Sequence, residues 1–184
     1  MARNTYRSRT RTSRKVRSFF SADLLTIDPR LRVSVGILLQ GLSAFLCIAF
    51  ISHLFHGRAD QSVIESTHEL GIKLSGAEIH NWLGLLGAMS AYYCMFRWLG
   101  ITAFLLLPPM SLLAYRYMYG QAWQGVSLYR ATLCALFSIL WLNAALGYAD
   151  FTFPQTNLLE SLVGGVGYEL GVLLHSLLGF GTPL

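Results

Sequence analysis

The chain has 184 residues, of which 54% are hydrophobic and only 12% are charged, whereas a typical soluble domain is about 25% charged. This composition excludes a water-soluble globular enzyme and a disordered protein, and it predicts an all-α polytopic integral membrane protein. The charge is unevenly placed: residues 1–32 hold nine Lys or Arg side chains against two Asp, and the remainder is slightly acidic.

Residues 1–32 are predicted to form a basic cytoplasmic arm. The next apolar run has no cleavage pattern after it, which favours a retained membrane anchor over a signal peptide. The arm has two interpretations. It is a topology signal that also binds anionic lipid, which is the favoured one, or it contacts nucleic acid phosphates. The candidate contact residues are Arg7, Arg9, Arg11, Arg14, Lys15 and Arg17.

Residues 33–184 are predicted to form the transmembrane domain. A run of about 20 apolar residues is needed to cross a bilayer core. Three full spans are expected at about residues 33–55, 101–118 and 131–148.

The apolar block at residues 82–118 is too long for one span, because a helix of that length would measure about 55 Å. It is divided into an interfacial helix at 82–99 and the second span, with Gly100 as the break. Pro108 falls inside that span and is expected to kink it, which leaves carbonyls for neighbouring helices to satisfy.

A second glycine-rich segment is predicted to be another interfacial helix, at about residues 162–179. It repeats the pattern of the first: a glycine-rich start, an apolar helix and a glycine break. A span would follow the break, and the sequence ends there, so a truncated fourth span is expected. Whether the chain is a fragment is left open.

Basic residues predict the orientation, since Lys and Arg are enriched in cytoplasmic loops. The arm and the connection between Arg116 and Arg130 are placed in the cytoplasm, and the acidic stretches 56–80 and 149–169 outside. This pattern requires a single net crossing between residues 82 and 118.

No catalytic, cofactor-binding or metal-binding residue is predicted. The chain has no GxxxxGK[ST] phosphate-binding loop. Its cysteines share no metal-binding spacing, and the pair His53 and His56 has no third ligand at a suitable spacing. Gln40 and Asn143 are the polar residues deepest in the spans, and they are expected to join helices.

The order of these motifs resembles the N-terminal membrane domain of the FtsK/SpoIIIE DNA translocases. The sequences NWLGLLGA and GITAFLLLP carry the first part of the resemblance, and the later glycines carry the second. The residues concerned are Asn81, Gly84, Gly87, Ala88, Gly100, Pro108, Gly164, Gly165, Gly167 and Gly179.

The resemblance implies a four-span domain with both ends in the cytoplasm, at the division septum of the bacterial inner membrane. In that family the domain anchors a hexameric ATP-driven motor for cell division and chromosome segregation. The implied partners are the lipid bilayer, further copies of the chain and division-site membrane proteins. DNA, ATP and Mg²⁺ belong to a motor domain that these residues lack, so the chain itself is expected not to be an enzyme and to need no cofactor.

Two other functions remain open. A small transporter or channel subunit would use the glycine-broken helices as re-entrant segments, although the spans hold almost no charge. A membrane adaptor would bind lipid or nucleic acid through its basic arm.

Overall fold

The computed structural model describes residues 28–70, 79–152 and 162–178. Most of these residues are helical, and no strand occurs among them. In chain order the helices are α1 (Pro29–Leu70), α2 (Gly84–Ala91), a π-helical segment (Tyr92–Leu99), a 3-10 segment (Gly100–Leu106), α3 (Leu107–Tyr119), a 3-10 turn (Trp123–Gly125), α4 (Leu128–Thr152) and α5 (Gly165–Leu178).

Within the described part of the chain, three stretches are long and apolar enough to cross a membrane, namely Pro29–Gly57, Gly84–Tyr119 and Leu128–Asp150. Large apolar side chains on these stretches are exposed, such as Leu38, Leu86 and Phe137. In water such surface would be unfavourable by about 25 cal/mol per Å². The predicted class, an all-α membrane protein, is therefore confirmed.

Helices α1 and α3 run antiparallel along each other. Three contacts in opposite chain order show the register: Gly36 with Met118, Ser43 with Ser111 at 2.9 Å between hydroxyl oxygens, and Phe50 with Phe104 at 5.5 Å between ring centroids. Gly36 permits the closest approach, since a Cβ there would lie 2.6 Å from Met118 Cγ. Residues 104–118 therefore return along the first span.

Helix α1 is longer than the predicted first span and continues to Leu70. Its later half contacts α2 and the π-helical segment. Ala88 and Tyr92 pack on Ile64, while Ala91 and Met95 pack on Ala49 and Phe50. The segment Gly84–Leu99 thus lies against residues 49–64 of α1, next to the part of α1 that pairs with α3.

Helices α4 and α5 complete the described structure. Asn143 of α4 is buried, and its Nδ2 donates to Thr102 Oγ1 at 2.7 Å and to the Ile139 carbonyl at 2.9 Å. Helix α5 packs along α4 and begins beside the 3-10 segment. The two glycine-rich segments of the sequence therefore meet in the fold.

Candidate functional site

Asn81 connects the first glycine-rich segment to α1. Its buried amide donates through Nδ2 to the Ala49 carbonyl at 3.2 Å, and its Oδ1 accepts the Leu83 N–H at 3.1 Å. Its carbonyl accepts the Gly84 N–H at 2.8 Å. An asparagine side chain that bonds its own backbone two residues ahead closes a turn. Asn81 thus starts α2 and holds it on α1.

Gly84, Gly87 and Ala88 each need a small residue for a different reason. Gly84 has φ +64°, and a Cβ there would meet no atom within 4 Å, so only the backbone conformation requires glycine. A Cβ on Gly87 would overlap Asn81 Oδ1 and lie 2.6 Å from Leu83 Cβ. Ala88 has no exposed surface and packs against Tyr92.

Gly100 marks the change from the π-helical to the 3-10 segment. Its backbone has φ +61° and ψ −146°, close to a region that is almost restricted to glycine. A Cβ on Gly100 would overlap the Leu162 carbonyl and lie 2.5 Å from Gly164 N. The position therefore combines a backbone requirement with a backbone-to-backbone contact.

The second glycine-rich segment supplies the other side of this contact. A Cβ on Gly164 would overlap Gly100 N and lie 2.5 Å from the Trp98 carbonyl. A Cβ on Gly165 would overlap the Arg97 carbonyl. The start of the second segment therefore packs on the break of the first.

Further along, Gly167 lies beside α4. A Cβ on it would come within 3.1 Å of Asn143 Oδ1. A Cβ on Gly147 would overlap the Gly167 carbonyl and lie 3.1 Å from Gly171 N. We refer to the surface formed by Gly100, Gly147, Gly164, Gly165 and Gly167 as the glycine junction.

Two members of this site were not found from the sequence. Gly147 is a single glycine in an apolar helix, and Thr102 is a small residue after the glycine break. The four-residue spacing of Asn143 and Gly147 on one face of α4 was the available signal. Their partners depend on the tertiary arrangement.

Pro108 lies in the first turn of α3, after the 3-10 segment. A proline there costs little because the first N–H groups of a helix have no internal partner. The helix type changes from 3-10 to α between Leu106 and Leu107, and the kink at Pro108 stays a prediction. Ser43 Oγ donates to the Leu107 carbonyl at 3.5 Å, and its hydroxyl is also bonded to Ser111.

The remaining predicted residues lie outside the described ranges. They are Gly179 and the arm residues Arg7, Arg9, Arg11, Arg14, Lys15 and Arg17. Gln40 is described: it is exposed and lines a cavity of about 410 Å³ between α1 and α3, together with Ser43, Pro108 and Ser111.

The site is made of close backbone contacts and buried amide groups. Among residues 28–70, 79–152 and 162–178, no three His, Cys, Asp or Glu side chains are placed to hold a metal ion. What the arrangement does chemically is to bring helices together, because small residues let backbones approach and polar side chains bond across helices within a membrane.

These features define an all-helical membrane protein whose two glycine-rich segments pack on each other. Comparison with family sequences then identifies the family: residues 29–183 match the 4TM region of DNA translocase FtsK/SpoIIIE. The match covers most of the chain, and the chain belongs to this family. The predicted resemblance is confirmed. No match was found among curated proteins or among solved structures.

Proposed function

We propose that this chain is the membrane anchor of a septal FtsK-like DNA translocase and acts in cell division and chromosome segregation. The observation that carries the proposal is the family match over residues 29–183. The role is mechanical: the helices fix a motor to the bacterial inner membrane and bring its subunits together. We assign no catalytic group and no cofactor to these residues, and DNA and ATP belong to the motor.

The distribution of basic residues supports a cytoplasmic N-terminus. Arg30 and Arg32 begin α1, Arg116 ends α3 and Arg130 begins α4. A Cβ on Gly120 would lie 3.4 Å from the guanidinium of Arg32, so the start of α1 and the end of α3 share one end of the bundle. Arginines gathered at one membrane surface favour the cytoplasmic side.

The antiparallel register of α1 and α3 supports one net crossing between residues 82 and 118. Residues 104–118 run back along the first span, and Gly84–Leu99 packs on the later half of α1. We therefore propose that residues 82–99 and 162–179 are interfacial helices on the outer side. The glycine junction then fixes the two interfacial helices on each other where they meet α4.

We propose the lipid bilayer, further copies of the chain and division-site membrane proteins as partners. Exposed apolar side chains on α4, including Leu136, Leu140 and Trp141, provide the surface for lipid or for neighbouring helices. A ring of subunits would bring the motors of the full-length proteins onto one DNA duplex.

The test is a chimera in dividing bacteria. The chain replaces the first three spans of a resident FtsK-type translocase, whose own fourth span is kept so that the motor stays in the cytoplasm, and it carries a fluorescent protein at its N-terminus. We expect a fluorescent band at the septum and normal cell length. The matched control joins the same fourth span and motor to an unrelated three-span protein of equal abundance with a cytoplasmic N-terminus, and we expect it to label the whole membrane and leave cells filamentous.

Uniform labelling by the chimera would contradict the septal role. Failure to restore division, despite septal labelling, would contradict the anchoring of a working motor. The two outcomes are scored separately, by fluorescence along the cell and by cell length.

A further inference from the structure

A buried carboxylate fastens the turn before α2 to α1. Asp60 has no exposed surface, and its Oδ1 accepts the backbone N–H of His80 at 2.7 Å. Two residues later, the backbone N–H of Trp82 donates to the hydroxyl of the buried Ser52 at 3.0 Å. The backbone at residues 80–82 is therefore held by side chains of α1.

Two imidazoles lie on the face of α1 that carries this carboxylate, and a third lies in the turn. His80 Nδ1 is 3.9 Å from Asp60 Oδ1. The ring of His56 stacks on that of His80, with 6.3 Å between centroids and 15° between planes. His53 lies two helical turns before Asp60 on the same face of α1.

Three atoms of this cluster are buried without a hydrogen-bond partner. They are His53 Nδ1, His56 Nδ1 and Asp60 Oδ2. Buried polar atoms are nearly always paired in folded proteins, so exceptions gathered at one place need an explanation. A charged imidazole donates through both nitrogens, so a proton on His53 or His56 creates a donor that requires an acceptor.

Among the side chains that the structure describes, the other carboxylate on this part of α1 is engaged elsewhere. Glu65 on α1 accepts the Tyr92 hydroxyl at 3.4 Å and the amide of Gln61 at 3.2 Å. Within the described ranges, Asp60 is thus the carboxylate that faces the imidazoles. The negative charge of Asp60 balances one proton on the three imidazoles. A second or third proton leaves the cluster with a net positive charge.

We propose that Asp60 and the three histidines form a proton-responsive latch, which holds the turn at residues 80–82 near neutral pH and releases it on acidification. Imidazole is the side chain whose charge changes between about pH 5 and pH 8. Protons on both His56 and His80 place like charges on two stacked rings. The His80 ring, which is mostly exposed, then moves away and withdraws its backbone N–H from Asp60.

Release of the turn would change the start of α2. Trp82 stacks on Phe55 with 6.2 Å between ring centroids, and Asn81 bonds to Ala49 within the same turn. Both contacts depend on the position of the backbone that Asp60 and Ser52 hold. Trp82 is therefore a natural reporter of the latch.

The first experiment follows Trp82 fluorescence in the full chain in lipid nanodiscs. Trp98, Trp123 and Trp141 are replaced by Phe, and the pH is lowered from about 8 to 5, the range in which imidazole titrates. We expect a sigmoidal red shift of the emission. The shift should disappear when His56→Gln and His80→Gln are combined, and it should persist in the matched control His175→Gln on α5.

A second measurement uses the unsubstituted chain and does not depend on variant folding. Hydrogen exchange of the peptide that contains residues 79–83 is compared at the two ends of the pH range, after correction for the intrinsic rate. We expect protection to fall about tenfold on acidification, as in a local opening reaction. Constant protection, or an unchanged fluorescence titration in the double His variant, would overturn the latch.

Discussion

At Gly100 both the backbone conformation and a close contact require glycine, whereas Gly84 and Gly147 each have only one of these requirements. Its φ of +61° and ψ of −146° lie close to a region that other residues almost never adopt, and its α-carbon faces the Leu162 carbonyl and Gly164 N. Gly84 has a positive φ but open space around it. Gly147 has a close contact in a regular helix. Substitutions at these positions therefore separate backbone strain from steric contact.

We expect Gly100→Ala to lower the free energy of unfolding more than Gly84→Ala does. The positive φ alone costs about 1–2 kcal/mol for a residue with a Cβ, and overpacking at Gly100 adds about 1–3 kcal/mol. Gly41→Ala is the matched control, because a Cβ there meets nothing within 4 Å and alanine favours the helix. Denaturant titration of each variant in micelles, followed by circular dichroism, gives the three values.

Equal stability of Gly100→Ala and Gly41→Ala would contradict the contact between the two glycine-rich segments. If Gly100→Ala does not accumulate, Gly147→Ala tests the same junction from α4. We expect Gly147→Ala to be destabilising as well, since its Cβ would overlap the Gly167 carbonyl.

The sequence allowed Gly84, Gly87, Gly100 and Gly164 to be selected, because their order and spacing form a pattern. It did not allow their partners to be named. That the break at Gly100 packs on the start of the second segment follows from tertiary structure, which no local pattern encodes. The cluster around Asp60 was missed for the same reason, since His80 lies twenty residues further along the chain.

At the scale of elements, α1 shows that hydropathy predicts the membrane span but not the full length of the helix. Hydropathy identifies the apolar run at residues 33–55, and the polar residues 56–80 are predicted to lie outside the membrane. The helix in fact continues through the polar residues to Leu70. Residues 58–70 contain no glycine or proline to stop it, and Gly57, Asp60 and Ile64 form a buried face at helical spacing.

The antiparallel pair of α1 and α3 can be tested by cross-linking. In a chain whose native cysteines are replaced by alanine, Ser43→Cys and Ser111→Cys should form a disulfide under mild oxidation, because the two hydroxyl oxygens are 2.9 Å apart. The control pairs Ser34→Cys with Ser111→Cys, since Ser34 lies more than two turns earlier on α1. Mobility on non-reducing gels measures both.

Equal cross-linking of the two pairs would show either that α1 and α3 slide past each other or that the disulfide joins two copies of the chain. Dilution distinguishes these cases, because an intrachain disulfide forms at a rate that does not depend on protein concentration. We expect the Ser43 and Ser111 pair to behave in that way.

For the whole molecule, packing shows which charged residues share an end of the bundle, and their charge then predicts the orientation. The arginines at the start of α1 and around the connection from α3 to α4 share one end of the bundle, as the approach of Gly120 to Arg32 shows. The other end carries Asp60 and Glu65 of α1. An excess of arginines at one end of the bundle is expected when that end faces the cytoplasm.

Reporter fusions test this orientation. We expect a reporter placed after Gly120 to be active in the cytoplasm, and reporters placed after Ser66 or Thr156 to be active outside. The physical reason is that residues 104–118 return along α1, so that Gly120 lies at the same end as Arg32, while residues 84–99 stay with the later half of α1. A reporter that is active outside at Gly120 would require residues 84–99 and 101–118 both to cross, and the arginines at 116 and 130 would then flank an external loop. A fusion after Gly100 separates the two cases further: one net crossing keeps it outside, whereas two crossings place it in the cytoplasm.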